Sequence, residues 1–217
     1  MTLDFATVLN LWPAFASGAA MTLLLTGCVL VVATPLAMLV ASGRNSRATL
    51  PRIGLAVLSW IVRGIPPLLI LLIVFFVPAD FGVNLPPFVS AITGLSLYMS
   101  FTFAEVFRAG LLSIDRGQYQ AADALGLPPW RIFRRLILPQ MMPAVLPPYV
   151  SHVSSLLKNT SLATVVAIRE LTAVGKSLLA VTYRPLETLI VVGAIYAAFS
   201  AMLFVVQAWL ERRWPKR

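Results

Sequence analysis

The sequence predicts an all-α integral membrane protein of five transmembrane helices with a short helix between two of them on the cytoplasmic side. Three observations carry this. Of 217 residues, 59% are hydrophobic and 12% charged, and the mean hydropathy is +0.87, far above what a water-soluble surface tolerates. The apolar residues come in continuous runs near the roughly 20 residues that a helix needs to cross about 30 Å of hydrocarbon, and such runs span as helices. Between the third and fourth runs lies the most polar long stretch, Gly117 to Gln140, which reads GQYQAADALGLPPWRIFRRLILPQ. The length makes a single transmembrane domain, 1–217, with no large soluble unit.

Along the chain, residues 1–14 are mildly amphipathic and form an interfacial lead-in with an aromatic anchor at Trp12-Pro13. Their MTLDFATVLN start lacks the basic region and cleavage site of a secretory leader, so the first apolar run is expected to stay. The first span covers about 15–42. Ser17, Gly18 and Thr22 suit close helix packing within it, Cys28 is a small lipid- or helix-facing side chain, and Gly43 ends it before a loop carrying Arg44, Arg47 and Arg52. The second span, about 53–77, includes Arg63-Gly64-Ile65-Pro66-Pro67, which should kink or break it while Arg63 snorkels to the headgroups. The third, about 88–112, carries Glu105 and Arg108, three apart on one face and able to pair. An ionisable group there is costly unless paired or facing water, which leaves an ion pair or a ligand contact open.

The polar stretch predicts a short helix, about 117–126. Ala121, Ala122 and Ala124 give it a small-residue face beside Gln120 and Asp123, and Gly126 suits a left-handed cap. Proline then opens a second helix with Arg131, Arg134 and Arg135. Such a helix between spans reads as a docking element. The fourth span, about 132–157, is interrupted by Pro139, Pro143, Pro147 and Pro148, which argues for a bent helix lining a cavity. Ser151, His152, Ser155 and Asn159 form one polar strip on it, with Lys158 beside them. His152 either bonds another span or contacts a solute. Residues 163–185 are amphipathic and lie at the outer surface or re-enter the membrane; the last span covers about 186–209.

With five spans the termini lie on opposite sides. An outer amino terminus puts Arg44, Arg47, Arg52, Arg108, Arg116, Arg131, Arg134, Arg135, Arg212, Arg213, Lys216 and Arg217 inside, twelve of the seventeen Lys and Arg, as the positive-inside bias requires. The formal charge of +9 thus marks orientation in lipid rather than nucleic-acid binding. No phosphate-binding glycine loop is present, and one histidine and one cysteine are too few for a metal cluster or a nucleophile–base pair. The chain is therefore expected to hold no cofactor and to be no enzyme.

Four stretches, in order, resemble permeases of ABC importers, over roughly residues 9 to 213. Gln120-Ala121-Ala122, Gly126, Leu136 and Leu138-Pro139 keep the spacing of the family's Glu-Ala-Ala loop, with Gln for Glu and Leu for Ile. Arg63-Gly64-Ile65-Pro66 is similar to Arg-Gly-Thr-Pro, and Ala104-Glu105-Val106-Phe107-Arg108 to Ala-Glu-Ile-Phe-Arg, although Thr102 stands where Tyr is common. Leu156-Leu157-Lys158-Asn159-Thr160-Ser161-Leu162 matches the amino-acid branch closely, whereas Ser151 and His152 replace its Asn and Glu or Gln. Gly18 to Leu23 also resembles that branch. The resemblance implies a type I importer permease for a polar amino acid or similar small zwitterion, in a bacterial inner membrane with the carboxyl terminus in the cytoplasm. Gln120, Ala121, Ala122, Asp123, Gly126, Leu138 and Pro139 would couple to a separate ATP-binding cassette dimer, which would bind the ATP and magnesium. The implied partners are that dimer, a second permease copy or paralogue, an extracytoplasmic solute-binding protein, and lipid. Ser151, His152, Ser155, Lys158, Asn159 and Glu105 would line the path. The competing class, an ion-coupled secondary transporter or channel, would favour acidic residues within spans and internal repeats; only Glu105 is offered.

Overall fold

Phe5–Leu9 forms a short helix, α1, and Trp12 opens the 33-residue α2 (Trp12–Arg44). The computed structural model describes residues 5–46 and 48–214, without the side chains of Arg116 and Asp123. Then come α3 (Thr49–Gly64), α4 (Pro67–Asp80), α5 (Pro87–Leu112), α6 (Arg116–Ala124) and α7 (Pro129–Ile132). A π-helical turn (Phe133–Ile137) leads into α8 (Leu138–Asn159), and a 3₁₀ segment (Thr160–Val166) precedes α9 (Leu171–Thr182) and α10 (Pro185–Arg213). Every regular element among the described residues is helical, as the apolar runs require.

Trp12 and Pro13 are the first turn of α2 rather than the end of a lead-in, because proline lacks only a donor that a first turn leaves unpaired anyway. Nor does Gly43 end that helix. A Cβ there would lie 2.5 Å from Leu55 Cδ1, so the glycine lets α3 pass close, and α2 continues to Arg44.

The break expected near Pro66 is present and far sharper than a kink: α3 and α4 meet at 100°. Ile65 adopts φ −91° and ψ 134°, the extended conformation that a following proline ring imposes, and Pro67 then starts α4. The expected second span, about 53–77, is accordingly two helices. The 16 residues of α3 leave Leu50, Ile53, Val57 and Trp60 exposed, while α4 packs on α5, where Gly94 lets the Leu71 backbone approach within 3.1 Å of a built Cβ.

Among the described residues three helices, α2, α5 and α10, are long and apolar enough to cross a bilayer, and the α3–α4 pair makes four if it is one bent span. The expected fourth span, about 132–157, is not among them. Its residues divide between α7, the π turn and α8, and prolines and the serine, histidine and lysine strip dilute the apolar content of α8. The helix nevertheless runs unbroken through Pro143, Pro147 and Pro148. Residues 163–185, read as one amphipathic stretch, are the end of the 3₁₀ segment and α9, with left-handed caps at Ala167 and Tyr183.

The main core lies where α2, α5 and α8 meet. Val29, Ala33, Ala37 and Ala41 face Leu95, Met99, Phe103 and Phe107, with Met141 and Val145 closing the third side. Tyr149 of α8 stands between the Phe103 and Phe107 rings, at 4.7 and 5.6 Å. Its hydroxyl shares a 2.6 Å hydrogen bond with Thr34, so the aromatic body is packed and its polar tip satisfied. A second contact ties α2 to α9: a Cβ on Gly18 would meet Leu171 Cα at 3.0 Å, and the Leu171 N–H donates to Thr22 Oγ1 at 3.2 Å.

Candidate functional site

The polar loop between α5 and α8 folds as its residues dictate. Asp115 accepts a hydrogen bond from the Gly117 N–H through Oδ1 at 2.7 Å, the local turn with which Asp opens helices. Helix α6 follows and ends at Ala124. Gly126 takes φ +65°, and the Leu127 N–H reaches back to the Ala122 carbonyl at 3.3 Å, the six-to-one bond of a Schellman cap. One face of α6 is turned inward, with Ala122 buried in the main core and Tyr119 packed against it; burial pushes the Tyr119 phenol up. The opposite face leaves Gln120 and Ala121 exposed. Around it Leu125, Leu127, Trp130 and Phe133 are exposed too, and Arg134 lies over the Trp130 ring at 5.1 Å. A cleft of about 360 Å³ opens between α6 and the π turn, lined by Gln118, Ala121, Ala122, Arg131, Arg135 and Leu136. Leu138 is half-buried and Pro139 exposed in the first turn of α8. The side chain of Asp123, and Arg47, Lys216 and Arg217, lie outside the described residues.

The second constellation is built on Glu105. Arg108 donates from Nε to Oε2 at 3.2 Å, the pair expected from their spacing. Arg63 donates from Nη1 to Oε1 at 2.8 Å, so it bonds a carboxylate rather than only snorkelling to headgroups. Arg44 reaches the same Oε1 and also donates to Ser59 Oγ at 3.1 Å, so it is not a loop residue. Sequence separation hid both partners, which arrive from α2 and from the end of α3. On α8, Ser151, Ser155 and Lys158 are exposed and His152 and Asn159 half-buried, so the strip lies along the free side of the helix. The Ser155 hydroxyl is spent on the Ser151 carbonyl at 3.1 Å. The Glu105 cluster thus joins α2, α3 and α5, while His152, Lys158 and Asn159 lie with the serines on the strip of α8.

A third feature escaped the sequence reading. Glu170 is fully buried and caps α9, accepting from the Thr172 and Ala173 N–H groups at 2.9 and 2.8 Å. Thr164 and Tyr196 hydroxyls donate to the same carboxylate at 2.6 and 2.8 Å. The available signal was an acidic residue directly ahead of an apolar helical run. No group of three His, Cys, Asp or Glu suited to a metal occurs among the described residues.

Comparison with known proteins gives these features a context. Residues 33–216 match the family described as binding-protein-dependent transport system inner membrane component. The arginine transport system permease protein ArtQ of Bacillus subtilis is 31% identical over 98% of each chain. An octopine transport system permease protein of Rhizobium meliloti is 38% identical over a shorter stretch, 58% of this chain and 52% of that protein. In fold, a chain of a crystallised amino acid ABC transporter with histidines superposes with a TM-score of 0.88 at 30% identity, over 98% of this chain and 100% of that one. A methionine ABC transporter chain shares the fold at 19% identity and a TM-score of 0.72, covering 93% of this chain and 98% of that one. The chain belongs to the family of inner-membrane components of binding-protein-dependent transport systems, as a permease subunit of the amino-acid ABC-transporter type.

Proposed function

We propose that the chain forms half of the membrane channel of an importer for a polar amino acid or a similar small zwitterionic solute, with α6 as its attachment to a separate ATPase. The superposition over nearly the whole of both chains carries this reading. In it five spans cross the bilayer: α2, the bent α3–α4 pair, α5, α8 and α10. The amino terminus lies outside and the carboxyl terminus in the cytoplasm, in keeping with the positive-inside count. Exposed Gln120 and Ala121, the capped end at Gly126 and the apolar rim around Trp130 suit a groove on an ATP-binding cassette subunit; Leu138 and Pro139 join that segment to α8. A second permease copy or paralogue and an extracytoplasmic solute-binding protein complete the assembly.

The mechanism is a population shift between inward- and outward-facing states. ATP binding closes the two ATPase subunits, each gripping one α6, and the spans tilt to open the cavity outward. The binding protein delivers solute, and hydrolysis reverses the tilt. The solute passes the strip of Ser151, His152, Ser155, Lys158 and Asn159 and the Glu105 cluster. The test is uptake in proteoliposomes holding this chain with its neighbouring ATPase and binding-protein gene products. Uptake of labelled amino acids should require internal ATP and the binding protein. Uptake driven by a proton or sodium gradient without ATP would favour the secondary-transporter alternative.

A further inference from the structure

The cleft between α6 and the π turn joins an apolar base to a charged rim. Ala122 and Ile132 line it and are buried in the main core, so packing fixes its shape. Leu127 and Leu136 add apolar wall. Arg131 and Arg135 line it as well, and both are exposed. Four residues apart, they share one face of the segment. No carboxylate bonds either of them among the described residues. Arg134 differs from both, since its guanidinium lies over the Trp130 ring at 5.1 Å and it does not line the cleft. Two rows therefore run side by side: an aromatic one of Trp130, Phe133 and Arg134, and a guanidinium one of Arg131 and Arg135 that shares the cleft with α6.

We propose that this cleft receives an acidic side chain of the ATPase subunit, whose carboxylate is held by Arg131 and Arg135. The proposal rests on the reading of α6 as the ATPase attachment. Each guanidinium offers a planar fork of donors, and a carboxylate has lone pairs enough to accept from two of them. The methylene stem of such a side chain suits the apolar wall, which also keeps water from the ion pair and so strengthens it. Ala121 belongs both to the cleft and to the exposed face of α6 that carries Gln120. A protein surface resting on that face therefore covers the cleft too. A lipid phosphate shares the anionic chemistry, but the aromatic row is the one suited to a membrane boundary, and the cleft opens on the α6 side of it.

The test uses the full chain in phosphatidylcholine nanodiscs with its neighbouring ATPase. Arg131→Lys and Arg135→Lys, made separately, keep the charge and supply an amine that a water-soluble carbodiimide condenses with a touching carboxylate. At least one introduced amine should join to an Asp or Glu of the ATPase, as mapped by peptide mass. In titrations of the ATPase, the double variant Arg131→Gln/Arg135→Gln should weaken binding about tenfold, whereas Arg134→Gln should leave it nearly unchanged. Amines that join to nothing, or only to this chain's own Asp115 or Asp123, would overturn the proposal. So would an unweakened double variant, or an equal loss with Arg134→Gln, which would mean a general positive potential rather than a built site. A loss that appears only when phosphatidylglycerol is present would assign the cleft to lipid phosphate instead. Each of these outcomes leaves α6 standing as the attachment; if the unaltered chain binds no ATPase, both readings fall.

Discussion

Glu170 makes the point that a single side chain can organise a whole corner of a membrane protein. Burying a carboxylate is expensive, yet here four donors meet it and the start of α9 adds the partial positive charge of a helix N-terminus. The same residue thereby joins the 3₁₀ segment through Thr164 and α10 through Tyr196. Glu170→Ala would leave two hydroxyls and two N–H groups without this acceptor. At about 1–3 kcal/mol for each buried group left unpaired, the loss should be several degrees in the thermal midpoint of the purified complex; an unchanged midpoint would mean that water replaces the carboxylate. Residues of this kind are hard to read in a sequence. Glu105 and Arg108 were legible because three residues on a helix share a face. Arg44 and Arg63 were not, since they reach Glu105 from 61 and 42 residues away. Glu170 disappeared into an amphipathic stretch because nothing in the spacing distinguishes a capping carboxylate from a solvated one.

Among the elements, α6 is the one whose form followed most directly from its residues. A glycine after a run of alanines implies a left-handed cap, and Gly126 adopts one. Gly126→Val puts a β-branched side chain at φ +65°, a conformation costing about 1–2 kcal/mol or more outside glycine. The chain should still insert, while solute-stimulated ATPase activity of the complex falls several-fold. Stimulation at the normal level would argue against α6 as the attachment point. Helix α8 was legible only in part. Its prolines suggested an interruption, and the structure shows a widened π turn ahead of Pro139, after which α8 continues as one helix past the other prolines. The corner at Pro66 was legible as a break, whereas its angle was not. A pre-proline residue must be extended, but the direction in which the next helix leaves depends on what α4 packs against, here Gly94 and its neighbours on α5.

For the whole molecule, α10 is informative because it is apolar and almost uncovered, with 11% of its most apolar window buried. A single chain also presents one α6. In the proposed importer two permease subunits should therefore accompany two ATPase subunits, and native mass measurement in mild detergent checks this; a functional complex with one permease copy would refute it. The overall helical membrane class was legible from apolar runs alone, because lipid leaves the backbone so few alternatives. The number of crossings was less so, since α8 trades apolar content for polar groups and the second run folds at a right angle. That right angle has a mechanical side. Helix α3, 16 residues long, extends about 24 Å from the corner at ~1.5 Å per residue, so a rotation of α4 by roughly 10° carries the far end of α3 through about 4 Å. The far end is Thr49, close to where α2 stops at Arg44, and Arg63 rides at the pivot. Were the corner to move as a rigid piece, it would work as a bell-crank, turning a small rotation of one helix into a sweep of another across it, while the group at its axle hardly moved.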